Sequence, residues 1–116
     1  MNPRIKSNWL KALRSGEYKQ TTQRLKDKDQ FCCLGVLCDL HSKETNTCWT
    51  GSEYTKYLEE DSILPQVVID WAELPDCNPN ILDNKLKERT GPQPVGYFND
   101  YGRTFEEIAN LIEEQY

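Results

Sequence analysis

The chain has 116 residues, a net charge of −5 and 37% hydrophobic residues, a size and composition that fit one domain able to bury roughly two-thirds of its unfolded surface. An acidic total excludes general nucleic-acid binding, because counterion release needs a broad basic face. The longest apolar run, Phe31 to Cys38, falls far short of the roughly 20 residues of a membrane span.

The first helix is expected from Pro3 to Arg14. Asn2 is a capping residue, Pro3 suits the first helical position, and Ile5, Trp9, Leu10 and Leu13 share one face. Gly16 is a natural stop. Thr21–Lys26 and Gln30–Cys33, separated by the polar Asp27-Lys28-Asp29, read as a hairpin. Leu34 to Lys43 reads as the most buried helix, with Leu34, Leu37, Cys38 and His41 on one stripe and Val36 and Leu40 widening it. Gly35 costs that helix stability, which points to a close backbone contact there.

Glu44 to Ser52 is a loop, and Tyr54, Tyr57 and Leu58 suggest a short helical turn. Pro65 opens a third helix with Val67, Val68, Trp71 and Leu74 as its face, and Pro75 ends it. Asp76 to Pro94 has little apolar content beyond Ile81, Leu82 and Leu86, and reads as a long loop or a loosely held extended segment. Val95 to Phe98 looks like a strand, followed by an Asn99-Asp100-Tyr101-Gly102 turn. Thr104 and Glu107 form a capping box for a last helix that buries Phe105, Ile108, Ala109, Leu111 and Ile112. The expected class is α+β: a single domain with a small antiparallel sheet and about four helices.

Charge is unevenly spread. Residues 1–30 hold eight Lys/Arg against three Asp/Glu, and residues 31–116 hold six against sixteen. The basic stretch suits one small anion, although mutual neutralisation of the two halves across the fold explains the pattern as well. The five cysteines, Cys32, Cys33, Cys38, Cys48 and Cys77, are an odd set with an adjacent pair. That is a poor disulfide framework, and Met1 to Lys6 form no signal-like apolar stretch, so a cytoplasmic protein is expected.

A zinc site built on Cys32, Cys33, Cys38, His41 and Cys48 lacks the second pair of closely spaced ligands that structural zinc needs. A Cys38–His41 dyad would form on one helix face with little room for substrate. The six glycines are scattered, so no phosphate-binding loop is present. No catalytic constellation, cofactor or metal is therefore expected. A binding role reads better. Arg14, Lys19, Arg24 and Lys26 flank Tyr18, and Tyr97, Phe98, Asn99, Tyr101 and Arg103 crowd the junction before the last helix. Aromatics stack on bases, Asn reads base edges and Arg holds phosphate. The competing reading makes Tyr97 and Phe98 packing residues and Asn99 a turn signal.

Four segments, in order, carry a resemblance. They are Trp9 with Ala12-Leu13-Arg14-Ser15-Gly16-Glu17-Tyr18; Phe31 with Cys32-Cys33-Leu34-Gly35-Val36-Leu37-Cys38-Asp39-Leu40; Leu64-Pro65 through Trp71-Ala72; and Asn99-Asp100-x-Gly102-x-x-Phe105-x-x-Ile108-Ala109. Together they resemble a family of small uncharacterised bacteriophage proteins. The resemblance implies an origin, and by analogy with small phage proteins a role against host defence in the cytoplasm of the infected bacterium. The expected function is sequestration of a nucleotide-type signal by Arg14, Arg24, Phe98, Asn99 and Arg103. The alternative is an acidic inhibitor of a host protein, using residues 53–61 and 106–114. A homodimer or a small multiple of it is expected, with the binding site near the interface and the first helix and Trp9 at the contact; the competing reading packs Trp9 on the core.

Overall fold

The computed structural model describes residues 1–51, 55–81 and 92–116. Helix α1 (Pro3–Arg14) begins as its sequence dictates: the Asn2 side chain accepts from the Ile5 amide at 3.1 Å, and Pro3 sits in the first turn. Ile5, Trp9, Leu10 and Leu13 are buried. Trp9 is wholly enclosed and its indole N–H donates to the Cys33 carbonyl at 3.0 Å. It is thus a core residue, which corrects its expected place at a contact between copies.

Three two-residue strands follow. β1 (Lys19–Gln20) pairs in parallel with β3 (Gln30–Phe31), and β2 (Lys26–Asp27) pairs with β3 antiparallel. The hairpin is therefore shorter than expected and centred on Lys28, whose φ of 57 makes the turn. The sheet order is β1-β3-β2.

Helix α2 (Cys33–Thr45) buries Cys33 through Cys38 and His41, which makes its first two turns the centre of the core. The Cys32 sulfur accepts from the Gly35 amide, and Asn46 ends the helix in the left-handed region at φ 61. Gly35 lies against the Leu25 carbonyl, as the glycine in a buried helix suggested. Beyond α2 the chain bridges Thr50 to Lys56 and Tyr57 to Glu60. Leu58 and Glu59 both have positive φ, 50 and 75. This is a tight reversal of extended chain, not the short helical turn expected at Tyr57–Leu58; Tyr54 lies outside the described residues.

Helix α3 (Gln66–Ala72) follows Pro65 and stops at Glu73, which is left-handed at φ 56. It buries Val68, Ile69 and Ala72, while Val67 stands exposed. Of the expected face Val68 and Leu74 are buried and Trp71 is partly buried, and Ile69 takes the place given to Val67. β4 (Asn80–Ile81) pairs antiparallel with β5 (Gln93–Pro94). The stretch read as a long loop or a loosely held extended segment is thus extended at these two places, which form a second small sheet, and it buries Ile81. Leu82 and Leu86 lie outside the described residues.

Residues 95–98 are not a strand. They open helix α4 (Val95–Asp100), whose buried residues Val95, Phe98 and Asn99 recur at helical spacing. Asn78 explains the start: its side-chain oxygen accepts from the Gly96 amide at 2.9 Å, satisfying a donor that the first turn leaves open. Helix α5 (Phe105–Gln115) carries the full capping box, with Thr104 and Glu107 bonded reciprocally. Its buried face is Phe105, Ile108, Ala109, Leu111 and Ile112. α5 packs on α1, and Arg14 closes the seam through Glu113 and Asn110, both at 2.7 Å. The fold is α+β, with five helices and two small sheets among the described residues. None of those helices is long and apolar enough to cross a membrane.

Candidate functional site

The five residues singled out in the sequence occupy three places. Phe98, Asn99 and Arg103 meet at the junction of α4 and α5. Phe98 is buried, and the Arg103 guanidinium lies 5.7 Å from its ring centroid and 3.7 Å from the Glu107 carboxylate. Asn99 is 1% exposed and bonded on every side. Its oxygen accepts from Gln20 Nε2 at 2.9 Å and from the Cys33 amide at 3.1 Å, and its nitrogen donates to the Thr21 carbonyl at 2.8 Å. It ties the start of α2 to the end of β1. Arg14 is held at the other end of α5, and Arg24 is half-buried in the bend between β1 and β2. Tyr97 and Tyr101 stay at the surface as a tilted pair with centroids 4.6 Å apart.

The cysteines are all free. Burial pushes the Cys32 thiol up to about 11 and the Cys33 and Cys38 thiols well above their ordinary range, so all three are protonated, inert core groups near neutral pH. Among the described residues no three His, Cys, Asp or Glu side chains converge to hold a metal ion. His41 faces aromatic rings instead. Its Nδ1 is 2.6 Å from the Tyr57 hydroxyl, and the Trp71 ring stands edge-on at 4.9 Å.

Burial lowers the His41 pKa below its ordinary 6.5, against a smaller opposing pull from Glu44. The unfolded chain therefore takes up this proton first as pH falls. The stability this gives is present above the unfolded value and is lost as pH drops through the lower folded one. Urea midpoints should fall between pH 7 and pH 5, and His41→Asn should flatten that part of the curve. A wild-type midpoint that is unchanged or rises on acidification would contradict this account of the buried ring.

A different place has the character of a site. The C-terminal half of α1 and the middle of α2 diverge around Tyr18, leaving an open cleft of about 280 Å³. Lys11 lines it from α1 and Lys43 from α2, with Leu40 and Ala12 as its apolar floor and Glu17 and Ser15 at its edge. Tyr18 is fixed by Asp39. Its hydroxyl donates to the carboxylate at 2.6 Å and accepts from Lys43 Nζ at 3.2 Å. Desolvation, followed by the bond to Asp39, raises the Tyr18 pKa, so the phenol keeps its proton. Asp39 and Lys43 are one helical turn apart on α2, with 3.2 Å between the charges.

The same carboxylate accepts from the Trp49 indole at 3.2 Å. Phe31 stands between the two anchored aromatics, its centroid 5.1 Å from Tyr18 and 5.9 Å from Trp49. Lys26 Nζ lies 5.3 Å from both the Phe31 and Trp49 centroids, within cation–π range. The basic stretch around Tyr18 was legible in the sequence. Asp39, Lys11, Lys43 and Trp49 were not, because each alone reads as helix surface or loop; the i,i+4 pairing of Asp39 with Lys43 was the available signal.

A family model described as Domain of unknown function (DUF8296) matches residues 1–116. No curated protein and no solved structure matches the chain.

Proposed function

This chain belongs to the DUF8296 family, and we propose that it is a non-enzymatic binding protein that sequesters a nucleotide-type signalling molecule. In this reading it is phage-encoded and counters host immunity in the cytoplasm of the infected bacterium. One observation carries the binding role: the open cleft at Tyr18 offers an anchored ring and two lysines from different helices. A ring takes a base by stacking and ammonium groups take phosphate, which is the pairing a nucleotide requires.

The geometry shifts the contacts proposed from sequence. Phe98 and Asn99 are occupied in the core, so their part in recognition passes to Tyr18, Lys11 and Lys43. Arg14, Arg24 and Arg103 do not line the cleft. An open cleft of this volume encloses less of a ligand than most small-molecule sites do. Binding of a large signal therefore favours a second copy closing over it, and light scattering with and without ligand reads that state.

Calorimetry with AMP, ADP-ribose and cyclic oligonucleotides tests the reading. At least one should bind, and Lys11→Gln with Lys43→Gln should weaken it about tenfold or more, as loss of charge-assisted contacts implies. Absence of binding by all three classes overturns the proposal and leaves the inhibitor reading, which capture of a host protein would support.

A further inference from the structure

We infer a second base-binding subsite at Trp49 and Lys26, adjoining the Tyr18 cleft, so that the ligand class is a short oligonucleotide with at least two bases. The inference rests on the nucleotide-binding reading and adds to it the number of units recognised. Three observations converge on it. Trp49 is only partly buried: one side is tilted against Tyr57 with centroids 4.8 Å apart, and part of the ring stays outside the core. Lys26 Nζ lies over the Trp49 and Phe31 rings, 5.3 Å from each centroid, so a base that takes that face moves the ammonium aside to meet the phosphate. Asp39 accepts from both Tyr18 and Trp49, at 2.6 and 3.2 Å, so one buried-edge carboxylate fixes both aromatic platforms.

The geometry also sets the mode of binding. Phe31 separates the two rings, packing edge-on against each. Neighbouring bases would thus be splayed apart, each on its own aromatic, as in the recognition of unpaired strands. The phosphodiester between them would run past the ammonium groups of Lys43 and Lys26. Asp39 repels phosphate in principle, but it already accepts from Tyr18, Trp49 and Lys43, and its side chain is only 14% exposed. Glu17 at the cleft edge and Asp29 beside Lys19 bound the basic surface, which limits the strand to a few units.

The test compares AMP with the 5′-phosphorylated dinucleotide pApA on the full chain, by calorimetry and by tryptophan fluorescence. Trp9 is enclosed in the core, so quenching that is specific to pApA and lost in Trp49→Leu reports stacking at the second subsite. The expected result is at least tenfold tighter binding of pApA than of AMP. Lys26→Gln, which leaves the ring packing in place, should reduce that advantage to under threefold with AMP affinity unchanged. Equal affinities of the wild-type chain for AMP and pApA overturn the second subsite while leaving the nucleotide reading intact. Failure of both probes to bind also overturns the second subsite, and overturns the reading on which it rests when ADP-ribose and cyclic oligonucleotides fail as well.

Discussion

Replacing Asn99 by alanine will destabilise the protein by about 3 kcal/mol, since each buried group left without a partner costs roughly 1–3 kcal/mol. The substitution strands the Cys33 amide at the head of α2, the Thr21 carbonyl and one bond of the Gln20 amide together. Asn99→Asp should do no better. A carboxylate still accepts from Cys33 and Gln20, but it cannot donate to Thr21, and it sits beside Asp100. Chemical denaturation of both variants decides the matter. A variant of wild-type stability with impaired ligand binding would restore Asn99 to the role of a ligand contact.

Gly35→Ala will be at least as damaging, by about 3 kcal/mol or more, the upper range for overpacking a core. An added Cβ would lie 1.7 Å from the Leu25 oxygen and 2.6 Å from its carbonyl carbon, and neither is a flexible side-chain end. Leu25 cannot retreat easily. It is fully buried, its amide donates to Asp61 and its carbonyl accepts from Cys32. Exchanging Gly for Ala in a helix ordinarily gains about 1 kcal/mol, so intrinsic propensity predicts the opposite sign. The contact is larger than the propensity, and a denaturation midpoint at or above that of the wild type would show the contact is misjudged. Gly16 supplies the contrast: nothing lies within 4 Å of its Cβ position, so alanine there meets only the backbone cost of φ +79.

The two outer helices were legible because their signals are local. α1 and α5 each carry a capping residue and an apolar stripe long enough to show its period. α4 was not, for two reasons. Val95, Tyr97 and Phe98 are residues that favour strands, and the polar Asn99 conceals the spacing it completes. The signal that starts this helix, Asn78, is remote in sequence. Two-residue strands are too short for an alternation to appear, and the parallel pairing of Lys19–Gln20 with Gln30–Phe31 depends on contacts between distant segments. The cleft was hidden for the same reason. Its lysines come from different helices, and the Asp39 carboxylate that orders its aromatics follows an apolar string, where alone it reads as helix surface.

The seam between α1 and α5 has a temporal consequence. Helix α1, made before the rest of this domain, presents Ile5, Trp9, Leu10 and Leu13, yet one of the two helices it packs against begins at Phe105. Its bond to the last helix, Arg14 to Glu113, spans 99 positions. Contacts so far apart in sequence slow folding. During synthesis Trp9 can meet the Cys33 carbonyl once α2 has emerged, but the part of the face that α5 covers must wait, shielded by transient collapse or by chaperones, until nearly the whole domain has been made. Closing the seam between α1 and α5 is thus a late step in the folding of this domain.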